Sequence, residues 1–141
     1  MSREILFKAK RKNWRELSKD EWWVEGYPVK YQPCASKEEW IYGIVPTYAS
    51  ALYIIEIDPE TLCQYIYMND KKGKRIWEND IVKHEVSDTI GTVKWYQEDY
   101  VGWCVDDIVI DEQQFTDEMW NECEVIGNIF DNPELLKGDA E

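Results

Sequence analysis

QYIYMNDKKGKRIWENDIV, residues 64–82, is the stretch whose reading decides the fold. Gln64–Met68 alternates polar and apolar side chains and is rich in aromatic and β-branched types, the pattern of a half-buried strand. Asn69-Asp70-Lys71-Lys72-Gly73 is turn chemistry. Asn and Asp bond their own backbone, and Gly73 takes a positive φ without steric cost. Arg75-Ile76-Trp77 resumes extended structure. Glu78-Asn79-Asp80 breaks it with a corner that calls for a left-handed residue at Asn79, because Asn tolerates that conformation better than other residues with a Cβ. Asp80 is expected to turn its carboxylate onto backbone N–H groups at that corner. Ile81-Val82 opens the next strand.

Working outward, Ile81–Val86, Gly91–Gln97, Val101–Val105 and Glu124–Ile129 read as further short strands joined by tight polar turns. A short strand is also expected at Ile108-Val109-Ile110, and a helical turn at Thr116–Met119. With the strands at 62–68 and 75–77, this predicts a mainly β domain of small antiparallel sheets with few short helical turns. The sheets either form an SH3-like barrel or strongly coiled sheet, or stay open. Upstream, Ala51–Ile57 and Leu62–Met68 flank Asp58-Pro59-Glu60-Thr61, a β-turn with Pro at its favoured second position, so a hairpin is expected. Ile5–Lys12 and Glu21–Tyr31 predict an N-terminal hairpin. Pro28 removes a ladder donor and marks an edge or a bulge. Ser36-Lys37-Glu38-Glu39 has the capping-box spacing for a turn or two of helix. Asn132, Pro133 and Glu134 suit a final helical turn whose Leu135 and Leu136 would dock on a sheet. The chain is expected to be a single domain: residues 1–50 as hairpin and variable connector, 51–136 as β-rich core, and 137–141 as a frayed tail.

Several of these phrases stand together in one family. Asp58-Pro59-Glu60-Thr61-Leu62-Cys63-Gln64-Tyr65, then Asp70–Val82, then Glu124-Val125-Ile126-Gly127-Asn128-Ile129-Phe130-Asp131-Asn132-Pro133-Glu134-Leu135-Leu136 resemble the signatures of the YopX family of phage and prophage proteins. Arg3–Lys8 and Trp23-Val24-Glu25-Gly26 are similar too. The resemblance implies that Pro59, Gln64, Tyr65, Gly73, Ile76, Trp77, Asp80, Gly127, Asn128 and Pro133 are structural signature positions. Two departures stand out: the family's Thr-Gly-Leu is Ile66-Tyr67-Met68 here, and its Glu-Gly-Asp is Glu78-Asn79-Asp80. The family carries no assigned reaction, so the resemblance implies a fold and a phage or prophage origin but no activity.

The charge is unevenly spread. Residues 1–19 carry seven Lys/Arg against two Asp/Glu, a net of +5, whereas residues 97–141 carry fourteen Asp/Glu against one Lys, a net of −13. An acidic field of that size repels a phosphate backbone and keeps a protein soluble. The simplest reading of the acidic half is a solvated face; the alternative is a mimic of DNA against a host DNA-binding protein. The basic start, Lys8-Ala9-Lys10-Arg11-Lys12-Asn13-Trp14-Arg15, interleaves cations with an aromatic. It is either a Lys-protected strand edge, a weak nucleic-acid contact, or a partner for the acidic region of a second copy, which would give a homo-oligomer.

Little in the chain is written as chemistry. His84 is the single histidine and is read as a surface or strand-edge residue. Cys34, Cys63, Cys104 and Cys123 form no C-x-x-C pair, and with no secretion signal at the start they are read as reduced thiols in a cytoplasmic compartment. No transmembrane length of apolar residues occurs. The glycines match neither phosphate-binding pattern, so no cofactor, metal or catalytic residue is assigned. The expected function is a non-enzymatic interaction module for a host or phage protein, with nucleic acid and membrane disfavoured. Its surface would include Lys8, Lys10, Arg11 and one of the adjacent Trp22 and Trp23, which in a regular strand face opposite ways.

Overall fold

The computed structural model describes residues 5–32, 39–48, 53–97, 101–106 and 117–136. The expected helix start at residue 36, the strand at 108–110 and the tail at 137–141 lie outside them. Contacts group the chain into two compact units, Met1–Gln64 and Tyr65–Glu141.

In the first unit, β1 (Phe7–Lys10) and β2 (Trp23–Tyr31) form the expected antiparallel hairpin, with Phe7 opposite Gly26 and Lys10 opposite Trp23. Two single 3₁₀ turns, Trp14–Glu16 and Lys19–Glu21, connect them. β3 (Ile41–Pro46) adds to the other flank of β2, from Gly26↔Pro46 to Tyr31↔Ile41. The pairing with β1 stops at Gly26, opposite Phe7, so the remainder of β2 has no strand on that flank among the described residues. Pro28 sits in that stretch. The register sends the polar groups of odd residues toward β3, as when the Glu25 carbonyl accepts from Thr47 N at 3.2 Å. The missing donor of Pro28 therefore faces the open flank, where no ladder bond is lost.

The expected hairpin of residues 51–57 with 62–68 does not form. β4 is only Ile55–Glu56 and pairs with β3, whereas β5 (Cys63–Asn69) begins beside β1, with Phe7 opposite Gln64. The cause is local. Asp58-Pro59-Glu60-Thr61 makes a 3₁₀ turn, Pro59–Thr61, in which the Asp58 carboxylate accepts from Glu60 N, and this swings the chain past a two-residue reversal. Ala9, Val24, Ile44 and Ile57 form the core of this unit, with Tyr42, Ile55 and Leu62 packed against them.

In the second unit the later residues of β5 pair with β6 (Arg75–Trp77) across a bulge between Tyr65 and Asn69. β7 (Asp80–His84), β8 (Thr89–Gln97), β9 (Val101–Asp106) and β10 (Cys123–Asn128) build a four-stranded antiparallel sheet in the order β10-β7-β8-β9. Among the described residues the protein is mainly β with antiparallel sheets and no closed barrel. β9 and β10 are the edges of this sheet and do not pair with each other, so the described strands do not make the SH3-like closure. A single helical turn, α1 (Asp117–Trp120), falls where one was expected and delivers Trp120 to a core of Ile66, Ile76, Val82, Val93, Val105, Cys123 and Val125. The last 3₁₀ turn, Pro133–Leu136, leaves Leu136 exposed rather than docked.

Candidate functional site

Lys10, expected on the surface, is 1% exposed. On β1 the side chains alternate, so Ala9 enters the core and Lys10 faces the other way. That face is not open: Trp14 and Trp22, carried by the 3₁₀ turns, fold over it. The Lys10 ammonium lies 3.7 Å from the Trp14 ring centroid, 4.2 Å from that of Trp22 and 5.6 Å from that of Trp23. Indole faces are the best aromatic partners for a cation, and the attraction grows when water is excluded. The cage walls are themselves held: Trp14 and Trp22 meet edge to face at 4.9 Å, and Trp22 Nε1 donates to the Leu17 carbonyl at 3.0 Å. Trp22 and Trp23 therefore do not diverge to opposite faces. Trp22 precedes the strand in a helical conformation, so strand alternation does not govern it. Lys8 is half-buried over Trp23 at 4.6 Å.

Past Lys10 the basic run borders an open groove of about 570 Å³ lined by Arg11, Lys12, Arg15, Glu16, Ile55 and Glu56. Lys12 Nζ pairs with Glu56 Oε2 at 2.8 Å, and this hydrogen bond raises the pKa of Lys12. Arg11 donates from Nη1 to the Glu21 carbonyl. The Arg15 guanidinium packs 4.3 Å from the Trp14 ring, so one wall of the cage also supports the groove.

The exposed aromatics of this unit are elsewhere than expected. Tyr27, Tyr31, Trp40, Tyr48 and Tyr53 are each more than a third exposed. Tyr27 and Tyr31 share the outward face of β2, and Lys30 lies 4.5 Å from the Trp40 ring. The period-two spacing of Tyr27, Val29 and Tyr31 beyond the end of β1 was the signal available in the sequence.

In the second unit Asp80, His84 and Cys123 are committed to the fold. Asp80 is buried and accepts from Trp77 N at 2.8 Å, as expected for a corner residue. His84 is 4% exposed, which overturns its reading as a surface residue. Its Nε2 meets Glu122 Oε1 at 2.8 Å and its Nδ1 meets Ser87 Oγ at 2.7 Å. Glu122 is adjacent to the residue opposite His84 on β10, so the partner that buries the imidazole is remote in sequence. Cys104 and Cys123, like Cys63 in the first unit, are buried thiols that form no disulfide; burial, aided by Glu122 and Asp70, pushes the Cys123 thiol up to about 12. Among the described residues no group of His, Cys, Asp and Glu is arranged to hold a metal ion, and no helix is long and apolar enough to cross a membrane.

The signature positions have structural roles. Pro59 opens the 3₁₀ turn, Gln64 pairs with Phe7, and Tyr65 lies opposite Trp77 with ring centroids 5.5 Å apart. Ile76 and Trp77 are buried. Asn128 Oδ1 accepts from Phe130 N and Asp131 N at 3.0 and 2.9 Å, turning the chain toward Pro133. These positions and the two-unit β architecture invite comparison with known proteins. A family comparison matches residues 10–137 to the family described as YopX protein. The chain belongs to the YopX family. Among solved structures, this YopX chain is similar to protein EF1440 from Enterococcus faecalis, with a TM-score of 0.50 and 18% identity over 96% of this chain and 99% of that one. At that identity the likeness speaks for the fold alone. None of the curated proteins compared matches the chain.

Family membership gives the backbone angles a meaning. Tyr67 and Asn79, the two residues that stand where the YopX pattern has glycine, have φ of 70° and 71°. Gly73, at a position shared with the pattern, has φ of 83°. At Gly127 the reason is space: a Cβ there would lie 2.6 Å from Asn132 Oδ1.

Proposed function

We propose that this YopX chain is a non-enzymatic protein-interaction module of phage or prophage origin that works in the bacterial cytoplasm. The observation that carries the reading is the set of exposed rings in the first unit, Tyr27, Tyr31, Trp40, Tyr48 and Tyr53. Tyr and Trp bring large, rigid contact area at low entropic cost and are enriched in protein interfaces. The commitment of Asp80, His84 and Cys123 to internal partners or burial is consistent with the absence of a reaction. The basic-strand version of a nucleic-acid role is weakened because Lys8 and Lys10 pack on tryptophan instead of facing solvent.

The test is affinity capture from bacterial and phage-infected lysate with the wild-type chain and with a Tyr27→Ser/Trp40→Ser variant. Both residues are about half exposed, so the fold should survive. A defined protein captured by wild type and lost from the variant at unchanged melting temperature supports the reading. Equal capture by both variants, or displacement of the partner by duplex DNA, turns the argument toward the acidic half and DNA mimicry.

A further inference from the structure

We propose that the groove bordered by Arg11, Lys12 and Arg15 is a docking site for the stretch Asp106–Glu112 of a second copy of this chain. The proposal rests on the interaction-module reading but uses a different surface from its exposed rings.

The groove's own composition selects the ligand. Three cations face it with two carboxylates, Glu16 and Glu56, and with Ile55 as an apolar wall. A nucleic-acid strand carries a charge on every nucleotide and would set phosphates against both carboxylates. Its affinity depends on many uncompensated cations, which this groove does not provide. A peptide has separated carboxylates and apolar side chains between them. It can place one carboxylate on the Arg15 guanidinium and an apolar residue on Ile55 while leaving the Lys12–Glu56 pair at 2.8 Å intact. Arg15 is suited to this. Its guanidinium carbon lies 4.3 Å from the Trp14 ring centroid, and a guanidinium presents planar N–H donors that match a carboxylate in bidentate fashion. Arg11 carries more N–H donors than its single bond to the Glu21 carbonyl engages.

The chain supplies a matching segment. Asp106-Asp107-Ile108-Val109-Ile110-Asp111-Glu112 places three β-branched apolar residues between two acidic pairs, with no basic residue among them. It begins at the last residue of β9, where Asp106 is exposed. It also lies in the part of the chain with net charge −13, and the three cations of the groove lie in the part with net charge +5. Groove and segment are different surfaces, so the contact is head to tail. Such contacts close into rings or continue as open assemblies.

The experiment is solution mass by light scattering on the full chain at fixed concentration, from about 50 mM to about 1 M salt, a range over which screening of exposed charges becomes nearly complete. The proposal expects an oligomer at low salt that falls to the single-chain mass at high salt. It expects Arg15→Glu alone and Asp111→Lys/Glu112→Lys alone to be monomeric at every salt. It also expects an equimolar mixture of the two variants to form a dimer, because one copy keeps the segment and the other keeps the groove. Arg15 is exposed, so its replacement should cost no more than its packing on Trp14, and the melting temperature is checked in parallel. Wild type that is monomeric at every salt overturns the proposal, as does an oligomer indifferent to Arg15→Glu, or a mixture that stays monomeric. Binding of a dT oligonucleotide that is lost in Arg15→Glu also overturns it and assigns the groove to nucleic acid. If wild type is monomeric and the Tyr27/Trp40-dependent capture persists, the groove proposal fails and the interaction-module reading stands.

Discussion

Asp70 Oδ2 accepts a hydrogen bond from Val125 N at 2.9 Å, across 55 residues of sequence. The same carboxylate takes Lys72 N and Lys74 N on its other oxygen, each at 2.9 Å, and Asp70 is 4% exposed. One buried side chain thus closes its own turn and ties that turn to β10, an arrangement reinforced by Lys71 N donating to the Cys123 carbonyl at 2.9 Å.

Replacing Asp70 by Ala leaves three backbone donors without this acceptor. Each buried unmade bond costs about 1–3 kcal/mol, partly relieved by entering water, so the expected loss is about 2–4 kcal/mol in urea unfolding of the full chain. Asp70→Asn keeps one acceptor oxygen and should lose less. Equal, small losses from both variants would mean that the turn holds to β10 without the carboxylate.

Tyr67 offers the opposite sign. A left-handed conformation costs a residue with a Cβ about 1–2 kcal/mol, and glycine in its place gives back about 0.5–1 kcal/mol in chain entropy. Tyr67→Gly is therefore expected to be neutral to stabilising by about 1 kcal/mol, even though it removes a ring that is 43% exposed and sits 5.9 Å from Tyr65. Asn79→Gly should gain less, because Asn79 Oδ1 also accepts from Lys94 Nζ at 3.0 Å. Thermal melts of the two variants against wild type decide the ranking.

Lys10 can be dissected by shape. Lys10→Met keeps most of the stem between the tryptophans and removes the charge, so the expected loss is about 1–2 kcal/mol of cation–π attraction. Lys10→Ala also opens a cavity and should cost about 2–4 kcal/mol. A methionine variant as stable as wild type would show that the cage values the stem and not the ammonium.

Cys123 gives a pH dependence whose sign is fixed by burial. Its thiol is held at about 12 against an ordinary value of 9.0, so the folded state keeps a proton that the unfolded state releases. The stabilisation is complete below the ordinary value and is lost as pH rises through the interval up to about 12. In urea titrations the stability advantage of wild type over Cys123→Ala should shrink steadily above pH 9.0. An advantage that stays constant through that interval would contradict the burial argument.

The local chemistry of residues 69–82 was legible because each signal acts within a few positions, whereas the bulge after Tyr65 and the positive φ of Tyr67 broke the regular alternation expected of residues 64–68. Gly73 and Asn79 adopt the positive φ that their side chains permit, and Asp80 caps the amide three residues before it. What escaped the sequence depends on partners far along the chain. His84 is buried by Glu122, 38 residues away, and Asp70 looked like a local turn residue until β10 was in place. Lys10 reads as an exposed cation on any strand, and only the two 3₁₀ turns that bring Trp14 and Trp22 over it make it an interior residue. The partners of β4 and β5 were mistaken because adjacency in sequence favoured a hairpin, while the tight turn at Pro59 sends them to different strands.

The walled-in ammonium of Lys10 has a practical consequence. Amine acylation needs a collision between reagent and nitrogen, and a side chain 1% exposed denies it in the closed state. An exposed amine such as Lys74 will label early, whereas Lys10 will acquire mass only when the strand and its covering turns separate. Its labelling rate, read by peptide mass spectrometry, is a stopwatch for local opening of the N-terminal unit, and any partner that clamps that unit would slow it.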